Sequence, residues 1–392
     1  MLWFFKARVI IQKPDGRLYY PKMVSASTTE STPFSNADYA EIELATNRSP
    51  YTSEYINPVE NDDIVRLQIS VRINSKEKAV LVDLFEGRIE AVSADYSTTN
   101  NTTLTCRGHI NAAAKHLIQE DKTWNGTVEA RTILAYFINS TIPRLTWSNQ
   151  LPYVGSSSVS FTDTESAYSS KKDQTYLTQV FQDLEKQSGY NWKIGTKSMY
   201  TSGGLLDKVY LTWLPVSTVA TEKYKAIEGT ARYLGSKFVV SIENQATQYI
   251  VKGDTPSGGT QYSGTARNEA AITQYGLKTD VDVFSNLQSN ATCKSIADGS
   301  ISAKVGDEIT GSITLIGTPE AHAGDLVYVY ANSTELNGAI IEGTFNVSRV
   351  RHTISSNSYR TSLEVGGIVV DAYDLISNIK KIAVTTKCNQ VT

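Results

Sequence analysis

The sequence has little cysteine, no long apolar run and no surplus of basic residues, and each shortage excludes a class of protein. Its three cysteines, Cys106, Cys293 and Cys388, form no CxxC pair, so neither a metal or redox motif nor a disulfide scaffold is indicated. This usage fits assembly in a reducing compartment. With 37 Lys and Arg against 40 Asp and Glu, the chain has no basic excess that would favour nucleic-acid binding. No stretch approaches the roughly 20 apolar residues of a transmembrane helix, so no membrane span is expected.

Catalytic signatures are also missing. The sequence contains no G-x-S-x-G elbow, no Walker A loop and no dinucleotide fingerprint after a strand. His109 and His116 could share a helix face, but no third zinc ligand lies near them in sequence. The adjacent carboxylates Asp62 and Asp63 are typical of a turn rather than of paired acid and base groups. We therefore expect no catalytic residues, no cofactor and no metal site.

The patterns that are present predict a mainly β chain. Val65–Ile73 alternates apolar and polar residues with period two, which is typical of a half-buried strand. Thr102–Gly108 is rich in β-branched residues and predicts another strand. Helical spacing predicts helices over Leu177–Leu184 and about Thr127–Phe137. The Gly/Ser/Thr-rich segment Lys252–Arg267 is interpreted as a long loop or linker.

The two ends of the sequence resemble each other. Each has an Asp-apolar-Val strand start, then an apolar-Glu-Gly segment, then a strand that closes on glycine: Asp63–Val65, Phe85–Ile89 and Thr103–Gly108, and Asp325–Val327, Ile341–Phe345 and Ser362–Gly366. Any two β-meanders share short strands and glycine turns, so a duplication is a hypothesis at this point. If it is real, we expect Gly87 and Gly108 to hold the same backbone positions in one copy as Gly343 and Gly366 hold in the other.

A duplication would have a consequence for symmetry. Two copies of one β-barrel in a chain, and three chains in a closed ring, present six similar barrels. Such a ring can match a six-fold partner on one side and a three-fold partner on the other.

The order of several motifs resembles the baseplate hub family of contractile-tailed phages, which is related to the late control protein D group and to the N-terminal part of type VI spike proteins. The motifs are Asp63–Val65, Leu84–Ile89, Leu104–Gly108, Leu177–Leu184, Gly189–Ile194, the strand ending at Leu214–Pro215, Asn268–Gly276, Gly324–Val329, Val350–Ile354 and Thr361–Gly366. The resemblance covers about residues 55 to 370. Thr273 stands where the family's serine-x-tyrosine-glycine junction has serine, which is a departure from the pattern.

This resemblance implies two tube-like β-barrels and a mixed α/β insertion, assembled as a homotrimer around a channel, with no catalytic residues. The expected domains are a first barrel with an N-terminal extension over 1–108, the insertion over 109–265, a second barrel over 266–375 and a tail over 376–392. The first 55 residues are more polar than a compact hub start and are interpreted as an extra docking segment.

The resemblance also implies partners and a location. The partners would be the tail tube protein, a spike or tip protein and other baseplate proteins, with DNA only in passage through the channel. The protein would lie in the baseplate of a virion tail and assemble in the host cytoplasm.

Two alternatives stay open from the residues alone. A tail-tip protein that binds a receptor or glycan would use exposed aromatic residues, of which Tyr19 and Tyr20 are candidates. A cell-wall hydrolase would need a specific acid pair, and the sequence offers none to nominate.

Overall fold

The computed structural model describes the following residues: 4–31, 38–45, 59–72, 80–94, 101–111, 115–118, 122–129, 132–133, 136–137, 145–147, 158–161, 167–170, 176–180, 192–200, 206–215, 225–240, 246–256, 259–284, 287, 289–305, 309–332 and 340–368. The chain is mainly β, which confirms the predicted fold class. The described strands include a 13-stranded sheet, to which both ends of the chain contribute.

The N-terminal half of this sheet contains seven strands. They are β1 (Phe4–Gln12), β2 (Leu18–Tyr19), β3 (Met23–Ser31), β4 (Tyr39–Ala45), β5 (Ile64–Arg72), β6 (Val80–Ala94) and β7 (Asn101–Gly108). Their order in the sheet is β3-β4-β7-β6-β5-β1-β2. The predicted strands Val65–Ile73 and Thr102–Gly108 correspond to β5 and β7. Alternate side chains of β1 and β3–β7 are buried in one core, with Ile42, Leu67 and Leu104 among the fully buried ones.

The described part of the first 55 residues belongs to this half and is not a separate docking segment. β1, β3 and β4 all contribute side chains to its core. β3 is an interior strand, because it pairs with β4 on one side and with a C-terminal strand on the other. Its polar composition arises because the outward side chains are serine and threonine, while the inward ones are Ala26 and Thr28.

The middle of the chain forms two three-stranded sheets. Their strands are β8 (Lys122–Glu129), β9 (Leu145–Trp147), β10 (Ser158–Phe161), β11 (Ala167–Ser170), β12 (Trp192–Tyr200) and β13 (Leu206–Pro215). The predicted helix over Thr127–Phe137 is wrong at its start, because Thr127–Glu129 lies in β8 and pairs with β10. Residues 132–133 and 136–137 are helical, as is the start of the second predicted helix at residues 177–180.

The C-terminal half of the large sheet contains six strands. They are β14 (Lys225–Ile227), β15 (Tyr233–Val240), β19 (Ile309–Ile316), β20 (Leu326–Asn332), β21 (Ile340–Ser355) and β22 (Ser358–Ile368). Their order is β15-β19-β22-β21-β20-β14, and they surround a second core that includes Val329, Phe345 and Leu363. β14 and β15 lie in the range 109–265, but they hydrogen bond to β20 and β19.

A small α/β unit lies between β15 and β19 in the chain. It contains β16 (Gln248–Lys252), β17 (Ser263–Arg267), α1 (Glu269–Tyr275), β18 (Thr279–Val283) and α2 (Asn290–Val305). Cys293, Ile296 and Ala297 on one side of α2 pack against the sheet and form a third core with it. The predicted linker Lys252–Arg267 therefore ends in a strand that packs against a helix.

Candidate functional site

The strongest local repeat is a turn built on an aspartate in each half. In the N-terminal half, the Glu60 N–H donates to Asp63 Oδ2 at 2.9 Å. In the C-terminal half, the His322 N–H donates to Asp325 Oδ2 at the same distance. Asp63 is 1% exposed and its Oδ2 lies 2.9 Å from the Lys13 ammonium, so the first turn also contains a buried ion pair.

The backbone around the two turns is also the same. Asp62 (φ 72°) and Gly324 (φ 78°) precede the aspartates and are both in the left-handed region. The Asp62 N–H donates to the Ile89 carbonyl at 2.8 Å, and the Gly324 N–H donates to the Val347 carbonyl at 2.7 Å. Ile89 and Val347 return hydrogen bonds to the carbonyls of the aspartates that follow. Glycine costs nothing in this conformation, whereas an Asp is among the few other residues that tolerate it.

The strand order extends the repeat to the whole of each half. The series β3-β4-β7-β6-β5 in the N-terminal half matches β15-β19-β22-β21-β20 in the C-terminal half. Two of the register breaks also match, and the first is an extra residue at Val24 in β3 and at Leu234 in β15. Another is present at Glu90 in β6 and at Ser348 in β21. Bulges at matching positions define a residue-by-residue equivalence between the halves.

This equivalence places the candidate glycines of the Glu-Gly segments two residues out of register. Gly87 pairs with Val65, two residues after its aspartate, whereas Gly343 pairs with Val329, four residues after its own. The position of Gly87 is occupied in the C-terminal half by Phe345, and the position of Gly343 is occupied in the N-terminal half by Phe85. A phenylalanine and a glycine have thus exchanged places, and both phenylalanines are buried in the core of their half.

The closing glycines are also out of register, and β22 contains an extra residue, Gly367, that β7 does not have. Gly108 pairs with Gly87, and its counterpart, the residue opposite Phe345, is Ile368. Gly366 instead corresponds to Arg107. A side chain at Gly87 would lie 2.1 Å from the Arg107 carbonyl oxygen, and the Gly108 N–H donates to the Asp38 carbonyl at 2.7 Å. These two glycines allow close backbone approach, whereas a Cβ at Gly366 would meet nothing nearer than 3.8 Å.

The two halves join where β3 pairs with residues Arg349–Ile354 of β21. The middle of this junction is polar on its inward side: His352 lies 3.1 Å from both the Thr361 hydroxyl and the Tyr359 hydroxyl, and Thr28 lies opposite it in the register. His352 is 5% exposed. Burial lowers the pKa of His352 to about 4, so its imidazole is neutral at pH 7.

The opposite side of the joined sheet is a continuous surface of serine, threonine and charged residues, which we call the polar face. Its residues are Ser25, Ser27, Thr29, Ser31, Tyr39, Glu41, Glu43, Thr103, Thr105, Arg107, Ser312, Thr314, Arg349, Arg351, Thr353, Arg360, Ser362 and Glu364. The charges are partly paired. Arg349 lies 3.1 Å from Glu364, and Arg107 lies over the Tyr39 ring. The polar face crosses from one half to the other without an apolar break.

The histidine and carboxylate positions considered from the sequence make ion pairs or hydrogen bonds with neighbouring strands. His109 Nε2 lies 3.0 Å from Glu86, and Asp62 is paired with Arg88. Within the described residues, no group of three or more His, Cys, Asp or Glu side chains is placed to hold a metal ion. None of the helices in that part of the chain is long and apolar enough to cross a membrane.

Comparison with solved structures identifies proteins of the same fold. The 43 kDa tail protein of prophage MuSo2 from Shewanella oneidensis is 12% identical, with a TM-score of 0.58 over 91% of this chain and 98% of that chain. The tail protein from Neisseria meningitidis MC58 is 12% identical, with a TM-score of 0.56 over 94% and 99%. Prophage tail protein gp18 from Listeria monocytogenes EGD-e is 12% identical, with a TM-score of 0.50 over 97% and 99%. The chain therefore has the fold of phage and prophage tail proteins.

Sequence comparisons add one match. A YQBQ-like family model matches residues 206–366, which begin with β13 and end near the end of β22. No curated protein matches the chain by sequence.

Proposed function

We propose that this protein is a structural subunit of a phage-type tail, and more narrowly the hub of its baseplate. Three copies form a closed ring around an axial passage. The ring joins the tail tube to a spike or tip protein and contacts other baseplate proteins. DNA meets it only in passage, and the protein contributes positioning rather than chemistry.

The observation that carries this proposal is the repeat in hydrogen-bond register between the two halves. Three chains that each contain two equivalent halves give six equivalent units in one ring. A ring of that kind has a three-fold axis and an approximate six-fold axis together. It is suited to hold a six-fold tube at one end and a three-fold spike at the other.

The polar face fits the wall of the passage. It is continuous through both halves and carries hydroxyl groups with charges of both signs. It therefore offers neither an exposed apolar surface nor a positive electrostatic potential that would bind DNA tightly. Duplex DNA or an extended chain could slide along such a wall because no strong local contact would stop it.

The sheet pairing also refines the proposed domains. We propose that the first barrel ends near residue 108, as expected, and that the second barrel begins at β14, near Lys225, rather than at 266. The small α/β unit of β16–β18 is then an excursion within the second barrel. The segment 376–392 lies outside the described residues, and a role as a C-terminal tail stays a prediction.

The native mass of the purified chain tests the proposal. Light scattering on a gel-filtration column should give about 129 kDa, three times the 43.1 kDa of one chain. Electron microscopy of that peak should then show rings with a central opening. A chain that stays at 43.1 kDa at high concentration and in the presence of a tail tube protein would contradict the hub assignment. Glycan binding by such a monomer would support the receptor-binding alternative instead.

A further inference from the structure

The junction between the two halves uses two strand edges, and each edge has a counterpart that is open in the described part of the chain. Residues Arg349–Ile354 of β21 have two neighbours, β22 and β3. Their counterparts in β6, from Ala91 onward, have one described neighbour, β7. β3 lies between β4 and β21, whereas its counterpart β15 pairs with β19 alone among the strands that the structure describes. The two strand edges that pair at the internal junction, on β21 and β3, therefore each have an equivalent edge, on β6 and β15, that has no partner among the described strands.

Exposure of matching residues agrees with this assignment. Val350 of β21 is 0% exposed, with β3 beside it. Its counterpart, Val92 of β6, has the same inward position opposite Leu104 but is 38% exposed. On β15, Val239 is 49% exposed, but its counterpart in β3 is Thr29 of the polar face, so its exposure belongs to the outward side of the sheet. Open strand edges that carry exposed valine tend to pair with another strand.

We propose that β15 of one copy pairs antiparallel with the end of β6 in a second copy and so repeats, between chains, the junction that β3 and β21 form within a chain. This inference rests on the proposed ring and names the surface that closes it. The strand that pairs with each open edge comes from a second copy of this chain rather than from another protein. The β3–β21 pairing shows that two edges of these kinds fit each other. The contact is head-to-tail, which is the type that closes into a ring.

The equivalence fixes the register of the junction. Within the chain, Val350 pairs with Glu30 and Arg351 pairs with Thr29. Replacing each by its counterpart places Val92 opposite the partner copy's Val240, and Ser93 opposite the partner copy's Val239. Arg351 and Thr29 both point out of the polar face, so Ser93 and Val239 would extend that face across the boundary between copies. Three such boundaries and three internal junctions would make one continuous wall.

Cysteine cross-linking of the full-length chain tests this register. Directly opposed residues in a ladder have Cα atoms about 4.5–5.5 Å apart, within the range of a disulfide. The double variant Ser93→Cys, Val239→Cys is made with Cys388→Ser, since Cys106 and Cys293 are buried. Mild oxidation should give covalent dimers and trimers that dissociate on reduction. We expect a yield at least about ten times that of either single variant, because only the pair can close the bond.

Two matched controls make the result interpretable. The pair Thr29→Cys, Arg351→Cys should form a disulfide within the chain and so confirms that the fold and the oxidation are intact. The pair Ser93→Cys, Gly235→Cys moves one partner four residues along β15, about 13 Å, and should not cross-link. A Cβ at Gly235 meets nothing within 4 Å, so that substitution does not disturb the strand.

The outcomes separate this inference from the proposed function. A protein with the mass of three chains, an intact internal control and no link between positions 93 and 239 would overturn the register proposed here but not the ring. Cross-linking of the shifted pair with equal yield would also overturn it. A chain with the mass of one copy would overturn the ring and this junction together.

Discussion

His352 shows how a single residue marks the boundary between two cores. Leu315 lies at the matching position two strands away on one side and Ala40 on the other, so the inward row changes from apolar to polar only at the junction. There His352 Nδ1 lies within hydrogen-bond distance of the Thr361 and Tyr359 hydroxyls instead of adding an apolar contact. Buried polar groups of this kind stabilise little by themselves, but they disfavour other registers of the two strands.

The protonation of His352 predicts a pH dependence of stability. Because burial lowers its pKa from 6.5 to about 4, the unfolded chain binds a proton between those pH values that the folded chain does not. This contribution is fully present above pH 6.5 and is lost as pH falls towards 4, by about 3 kcal/mol in total. Urea unfolding at several pH values across this range should show that the free energy of unfolding of the wild type falls with pH. The fall should be smaller for His352→Gln.

The comparison of the two proteins isolates this residue from the carboxylates, which titrate in the same range. His322 and Glu30 are the charged groups that act on His352, and both remain in the variant. If the free energy of unfolding falls by the same amount in the wild type and in His352→Gln between pH 7 and pH 4, His352 is not the source of the pH dependence.

At the level of elements, sequence predicted the strands whose inward residues are large. β5 was recognised because its inward side chains are aliphatic, and Asp62 and Asp63 mark its beginning. β3 was missed because its inward residues near the junction are Ala26 and Thr28, which give no apolar alternation. β8 was missed for a different reason. Apolar residues after Thr127 follow a helical spacing, but Thr127 itself lies in a strand that pairs with β10 and β11.

Composition was also misleading at β17. The Gly/Ser/Thr-rich segment there predicts a linker, but Gly264 is required because α2 packs directly on it. A Cβ at Gly264 would lie 2.1 Å from the Lys294 backbone nitrogen and 2.3 Å from the Cys293 carbonyl carbon. Small residues in this strand therefore reflect close helix packing, which no single-sequence pattern distinguishes from a flexible loop.

Substitution of Gly264 tests this reading. Gly264→Ala should push α2 away from the sheet and lower the free energy of unfolding by about 1–3 kcal/mol, because backbone atoms of a helix cannot move aside locally. Gly366→Ala is the control, since its Cβ has room and a strand residue gains slightly from a less flexible unfolded chain. Thermal unfolding of both variants gives the comparison. Equal melting temperatures would show that α2 does not depend on this contact.

For the whole molecule, sequence indicated a repeat between the two halves, but alignment on the Glu-Gly letters places it two residues away from the register that the folded strands follow. The letters Glu-Gly occur in both halves, and alignment on them makes Gly87 and Gly343 equivalent. The folded register instead follows the aspartate turns, and it exchanges phenylalanine and glycine between the two sites. Each half has one phenylalanine and one glycine on that stretch of strand, in opposite order. The residues that look alike in sequence are therefore not the residues that occupy the same position in the sheet.

The repeat of strand order and register provides an internal comparison for the last prediction. Val92 and Val350 are the same position in two settings, one at an open edge and one covered by β3. Val350→Asp buries an unpaired carboxylate and should destabilise the folded chain by about 3 kcal/mol or more. Val92→Asp leaves its carboxylate in water in a single chain, so the β-rich circular dichroism spectrum and the urea midpoint of dilute protein should stay close to those of the wild type.

Assembly should respond in the opposite way. In the proposed ring, Val92 is covered by β15 of the next copy, so Val92→Asp should shift the mass from about 129 kDa towards the 43.1 kDa of one chain. Val92→Thr keeps the β-branched shape without a charge and should retain most of the association. A Val92→Asp protein that keeps the mass of three chains at every concentration would mean that the copies meet elsewhere. The same change at two equivalent positions would thus separate folding of the chain from closure of the ring.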